Sequence, residues 1–203
     1  MAALLPPGPD FPRLPLEIEL IDPALLYRVS RHASGEPYFG RSRGNRFDDP
    51  TWKRADRFGT CYLGLDLTVA MAESLLHDVE PNAGRFDVAL SEIEARYVFR
   101  FHGPALRLAN LTGTALFLLG GNGELSGTTD YKLTQRWSRA VCAHPDKVDG
   151  FLYMSRRVND SLAVVLFERD KSAPLPLSAA APVRLGAHRD FVNSATTLRL
   201  CAV

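Results

Sequence analysis

Apolar and polar positions alternate along some stretches of this chain and recur at helical spacing along others, and the two periods divide it into elements. "LLYRVS" (25–30) alternates as a first strand and "GTCYLGL" (59–65) as a second. The spacing then predicts a helix from about Thr68 to Val79, with Pro81 ensuring its end. "SEIEARYVFRFHG" (91–103) reads as a strand, and "ALRLANLTG" (105–113) as another short element. "YKLTQRWSRAVCAH" (131–144) has the spacing of an amphipathic helix that buries Leu133, Trp137, Ala140 and Val141. "DGFLYMS" (149–155) and "SLAVVLFER" (161–169) are strands parted by a polar turn at Asn159-Asp160, and "TTLRLCAV" (196–203) is a last strand-like piece. Strand runs mixed with a few helices, and without an internal repeat, predict an α+β fold.

The connecting segments carry their own signals. Residues 1–23 hold six of the fourteen prolines and read as an extended arm leading into a body at 24–170. Residues 31–59 are rich in Gly, Arg, Asp and Pro and lack periodicity, which predicts a long functional loop or pair of loops. "GGNGELSGTTD" (120–130) reads as a flexible surface segment. The tail, 171–203, is richer in Ala and Pro and is expected to pack on or beside the body. Leu14, Leu16, Leu175 and Leu177 in the two ends suit either packing back or meeting a partner.

Composition narrows the classes. The 203 residues suit one domain, and 46% apolar with 23% charged residues is a soluble globular balance. A net charge of +1 supplies no global field for nucleic acid or an anionic membrane. No apolar run approaches the roughly 20 residues of a membrane span. The N-terminal apolar run, cut short by Pro6 and Pro7, is too brief for a signal peptide. Three unpaired-looking cysteines, Cys61, Cys142 and Cys201, fit a reducing cytoplasm, and five scattered histidines lack metal-ligand spacing. No metal is expected.

Three local features invite chemistry. Glu73 falls at the border of the apolar face formed by Val69, Ala72 and Leu76, so it is either a solvated helix edge or a carboxylate at a partly dry pocket. Arg28, Arg31, Arg41, Arg43 and Arg46 cluster beside Asp48 and Asp49. They suit a diphosphate, because guanidinium forks match phosphate bidentately, and equally suit surface ion pairs. "GGNGELSG" lacks the pattern of a phosphate-binding loop, and Ser155 lacks a nucleophile elbow.

Taken in order, "LYRVS", "GNRFDD", "GTCYLGLDLTVAMAESLLHD", "TQRWSRAV" and "DGFLYMSRR…SLAVVLFE" resemble the RES-domain family, named for an arginine, a glutamate and a serine. The resemblance covers roughly 23–168. Its most specific part is Tyr62 with Glu73 on the next helix, joined to the later Gly150…Tyr153-x-Ser155-Arg156 run. It implies a fold similar to ADP-ribosyltransferase toxins, a mixed β-sheet core with flanking helices. It also implies a bacterial toxin that consumes NAD+ by phosphorolysis or hydrolysis at the nicotinamide ribose, with inorganic phosphate as a co-substrate in the first case. Transfer of ADP-ribose to a protein is the alternative within the family, and a binding module without turnover is the alternative outside enzymes. The implied partner is an Xre-like helix-turn-helix antitoxin, and self-association is expected. Carried over by position, Arg28, Glu73 and Ser155 are the catalytic set, and Arg28, Arg46, Tyr62 and Ser155 hold NAD+. Arg28 and Arg46 would grip phosphate, Tyr62 would border the nicotinamide, and Ser155 would donate to a ribose or phosphate oxygen. Phe47 stands where many members carry tryptophan. The link from Arg46 to Tyr62 is longer than in many, which leaves Arg43 and Arg57 as alternatives to Arg46.

Overall fold

The computed structural model describes residues 3–203; Met1 and Ala2 of the arm lie outside the described residues. In chain order the elements are β1 (Ile18–Ile21), β2 (Arg28–Ser30), β3 (Gly59–Gly64), α1 (Leu67–Ser74), β4 (Phe86–Val88), α2 (Leu90–Glu94), β5 (Tyr97–Phe99), β6 (Phe101–His102) and β7 (Leu106–Asn110). There follow α3 (Gly113–Leu118), α4 (Glu124–Gly127), α5 (Tyr131–Cys142), β8 (Gly150–Met154), β9 (Leu162–Glu168), β10 (Ser178–Ala179), β11 (Val183–Arg184), α6 (Phe191–Thr197) and β12 (Leu200–Ala202). This is the expected α+β class. No helix among the described residues is long and apolar enough to cross a membrane.

The central sheet runs β1-β7-β8-β9-β3, with β7 and β8 parallel and the other neighbours antiparallel. Alternation along its strands sorts the core into two faces, because successive side chains point to opposite sides of a sheet. Phe151, Tyr153, Val165 and Phe167 face α5 and Trp137. Cys61, Leu63, Leu152, Val164 and Leu166 face Phe99 and Phe101 on the other side. A second sheet, β11-β5-β2, carries Arg28 and meets the first where Tyr27 bridges to Gly64.

Several expectations are corrected. The arm is sheet in part: Ile18–Ile21 pairs with β7, and Trp137 Nε1 donates to the Leu5 carbonyl at 2.8 Å. The first body strand starts only at Arg28, because Pro23–Leu25 forms a 3-10 turn capped by the Asp22 side chain. Segment 91–103 is α2 followed by two short strands. Ile93 supplies the buried side of that helix, and Glu92 reaches Arg96 one turn on at 3.2 Å. Residues 120–130 are not merely flexible surface, since α4 buries Leu125 completely. Of the two roles left open for the tail it packs back on the body: β10 pairs with β6, β11 with β5 and β12 with β4, while Leu185 is fully buried.

The helix bearing Glu73 ends at Ser74, short of Val79, as Leu76 N–H reaches back five residues to the Met71 carbonyl. Asp66 caps its start by accepting from Val69 N–H at 2.8 Å. Its residues are apolar around most of the circumference because β2 and β3 pack on one side and α6 on another. Thr68 turns to Ser194 of α6, and Glu73 and Ser74 face the remaining opening. The turn from β3 into this helix brings backbone very close: a Cβ on Gly64 would sit 2.6 Å from Ala70 N and 2.7 Å from Asp66 O. Gly64→Ala is therefore expected to cost about 1–3 kcal/mol, the usual range for overpacking. A urea-unfolding midpoint unchanged from wild type would contradict this packing.

Candidate active-site cleft

A cleft of about 580 Å3 opens between the two sheets and α1, a size suited to a small ligand. β2 contributes Arg28, the loop after it Glu36, the 41–58 loop Arg46, β3 Tyr62, α1 Glu73 and β8 Tyr153. Of the five residues expected to form a site, four line this cleft: Arg28, Arg46, Tyr62 and Glu73.

Ser155 does not line it. It is fully buried, just past the end of β8, and its hydroxyl donates to Glu73 Oε1 at 2.6 Å. The same oxygen accepts the Arg156 N–H at 3.2 Å. Ser155 Oγ in turn accepts N–H groups from Arg157 and Val158, at 3.3 and 3.1 Å. A hydroxyl has one proton, and Ser155 spends it on Glu73. This corrects the expectation that it donates to a ligand oxygen. It holds Glu73 Oε1 in place and leaves the other carboxylate oxygen to the cleft.

The arginine cluster separates. Arg28 Nε lies 2.6 Å from Glu36 Oε2, and its Nη1 donates to the Tyr62 carbonyl at 2.8 Å. Burial pulls this guanidinium down, but the nearby negative charge, that of the Glu36 carboxylate above all at neutral pH, outweighs it and holds it above its ordinary value. Cys61 itself is pushed up to about 11 by burial and stays a thiol. Arg46 donates to the Thr128 carbonyl at 2.6 Å and lies over the Tyr131 ring at 4.9 Å. Burial, with Arg156 nearby, lowers it. Arg57 instead closes the loop, donating to the carbonyls of Arg41, Ser42, Thr51 and Trp52. Arg43 sits over the Trp52 ring, and Arg41 pairs with Glu168 at 2.9 Å. Among the three alternatives for the second arginine, only Arg46 reaches the cleft.

Asp48 and Asp49 are not surface partners of these arginines. Asp48 is 1% exposed and accepts from Ser42 Oγ (2.6 Å), Thr60 Oγ1 (2.7 Å), Tyr62 Oη (3.2 Å) and Asn45 N–H (3.1 Å). The Tyr62 hydroxyl also accepts the Phe47 N–H at 2.9 Å, so its ring walls the cleft while its polar end serves the loop. Burial, then the Asp48 charge, pushes Tyr62 far above the ordinary phenol range. From the other side, the polar stripe of α5 clamps the loop backbone. Thr134 donates to the Arg46 carbonyl, Gln135 to those of Arg43 and Asn45, and Ser138 to that of Phe47. Phe47 is thereby seated edge-on against Phe151 and Tyr153, with ring centroids 4.9 and 4.8 Å away.

Sequence reading missed Tyr153 as a cleft residue. It is almost fully buried, and burial followed by the charge of Glu73 holds its phenol protonated. Its place two positions before Ser155 was the available signal. Glu36, in the unpatterned loop, gave none. Among the described residues no group of His, Cys, Asp and Glu comes together as a metal site. The arrangement thus gathers the fixed carboxylate of Glu73, the guanidiniums of Arg28 and Arg46 and an aromatic wall in one cleft. That set suits binding a phosphorylated ligand and stabilising positive charge developing beside Glu73.

The RES domain model matches residues 25–191, running into the tail expected to lie outside it. No curated protein sequence matches the chain. In structure it is similar to a chain of the M. tuberculosis MbcT-MbcA toxin-antitoxin complex, at TM-score 0.59 and 18% identity, over 91% of this chain and 90% of that one. The shared fold thus spans both chains nearly end to end.

Asp48→Ala is expected to destabilise the protein by about 2–4 kcal/mol, since several buried donors lose their acceptor together. An unfolding free energy within about 0.5 kcal/mol of wild type, the usual scale of surface changes, would show that the loop is held by something else.

Proposed function

The chain belongs to the RES domain family, and on that premise we propose that it is an NAD+-consuming enzyme that cleaves the nicotinamide–ribose bond. The observation that carries this reading is Glu73, a carboxylate pinned on one oxygen by Ser155 and open on the other toward the cleft that Arg28 and Arg46 also line. Most glycosidases need a second carboxyl group to protonate the leaving oxygen. NAD+ does not, because its nicotinamide is already cationic and departs neutral. The C1′–N bond breaks with its electron pair going to the ring. The free oxygen of Glu73 stabilises the oxocarbenium-like ribose or accepts its 2′-hydroxyl. Phosphate or water then forms the new C1′–O bond, and water releases a proton in doing so.

Arg28 is oriented by Glu36 and the Tyr62 carbonyl and keeps its remaining N–H groups for the diphosphate. Arg46, braced on Thr128 and Tyr131, is the second grip. Tyr62 and Tyr153 border the reacting end. The fold shared with a chain of a toxin–antitoxin complex supports the further reading that the protein is a toxin. Its partner would then be a helix-turn-helix antitoxin of the Xre-like kind, acting in the cytoplasm.

Purified protein is expected to release nicotinamide from NAD+. ADP-ribose 1″-phosphate formed only in phosphate buffer would identify a phosphorylase, and ADP-ribose in either buffer a hydrolase. Label appearing on a macromolecule would identify protein ADP-ribosylation, and NAD+ left intact by excess protein would overturn the proposal. Ser155→Ala is expected to lower kcat roughly 10- to 100-fold with KM nearly unchanged, as a hydrogen bond to a charged group is worth about 1.5–3 kcal/mol. A rise in KM alone would mean that Ser155 serves binding.

A further inference from the structure

The cleft has a second cationic region, further along β2 from Arg28. β2 runs from Arg28 to Ser30, and the chain continues to Arg31, about 10 Å beyond Arg28 at strand rise. Antiparallel β5 sets Tyr97 opposite Ser30, so Arg96 arrives at the same end as Arg31. Both arginines line the cleft. They share one carboxylate: Glu92 Oε2, from α2, lies 2.7 Å from Arg31 Nη2 and 3.2 Å from Arg96 Nη2.

The charges there do not balance. Arg28 with Glu36 and Arg41 with Glu168 are one-to-one pairs, whereas here two guanidiniums meet one carboxylate. Arg96 has a side chain only 8% exposed, and its Nε–H, like those of Arg28 and Arg41, has no hydrogen-bond acceptor, so its neutralisation rests on a carboxylate it shares with Arg31. A buried cation left partly unneutralised is costly, and an anion supplied by a ligand removes that cost. Burial, then the charge of Arg31, presses Arg96 below its ordinary value, in line with this excess of positive charge.

We propose that Arg31 and Arg96 form a second anion subsite in the cleft, one that takes a phosphate group separate from the diphosphate held by Arg28 and Arg46. Two sources carry that chemistry: the phosphate monoester of NADP+, and free inorganic phosphate. The first source rests on the dinucleotide reading above, and the second does not.

Calorimetric titration of Glu73→Gln protein, in which turnover is slowed, with inorganic phosphate, NAD+ and NADP+ tests the subsite. The titrations are repeated with Arg31→Gln or Glu92→Gln added. Arg31 is 61% exposed, so its replacement is expected to leave the fold intact, and a melting curve checks this. Arg31→Gln restores charge balance and should weaken the phosphate-bearing probe at least about tenfold, while Glu92→Gln adds net positive charge and should tighten it. NAD+ should change little in either. An Arg31-dependent advantage of NADP+ over NAD+ identifies the phosphorylated dinucleotide. Arg31-dependent binding of inorganic phosphate, with NADP+ no better than NAD+, identifies free phosphate. If NAD+ binds and neither phosphate nor NADP+ responds to either substitution, the subsite is overturned and the dinucleotide reading stands. If neither dinucleotide binds but phosphate does so through Arg31, the subsite stands and the dinucleotide reading falls. If none of the three probes binds, both fall.

Discussion

Removing a carboxylate from water costs several kcal/mol unless donors surround it. Asp48 meets that condition with hydroxyls from Ser42, Thr60 and Tyr62 and an amide from Asn45. The consequence reaches well past one residue. These donors come from the 41–58 loop and from β3, so satisfying the charge ties an irregular segment to the central sheet. With α5 holding the carbonyls of residues 43, 45, 46 and 47 from the opposite side, the loop is ordered with only a single 3-10 turn, Arg54–Asp56, of its own. Arg46 stands in the cleft because of this scaffold, and Phe47 packs into the core beneath it.

The opposite wall follows the same logic at smaller scale. α1 is apolar on most sides because it is covered on most sides, and Glu73, with Ser74 beside it, is left facing the opening. A long carboxylate side chain alone would sample several rotamers. Ser155 and the Arg156 amide select one of them, and Ser155 is itself fixed by the backbone after β8. Two distant parts of the chain thereby set a single charge. Preorganisation of this kind is what lets one carboxylate act on a cation as it forms.

Much of this was legible in the residues, and the failures have physical causes. β3, β8 and β9 were visible because each buries both faces and so reads as a nearly continuous apolar run. The amphipathic helix at 131–144 was visible for its apolar stripe. Its polar stripe, Thr134, Gln135 and Ser138, was passed over because those side chains are buried against a loop that periodicity cannot place. Segment 91–103 misled because Ile93 and the aromatic residues after it fit alternation as well as a short helix. β1 was hidden by the prolines around it, although an edge strand tolerates such neighbours. Of the cleft, Arg28, Arg46, Tyr62 and Glu73 were found through their order in a family pattern, which helix geometry alone did not supply. The part played by Ser155 depended on where one proton points, and no spacing rule encodes that.

The central claim is that Glu73 acts on the ribose as the bond breaks, rather than merely holding the ligand. Measuring kcat and NAD+ affinity side by side for wild type and Glu73→Gln tests it most directly. Loss of one strong transition-state contact predicts a fall in kcat of roughly 10²–10³ with affinity within a few-fold of wild type. Wild-type turnover in Glu73→Gln, or a loss confined to NAD+ affinity, would contradict the account.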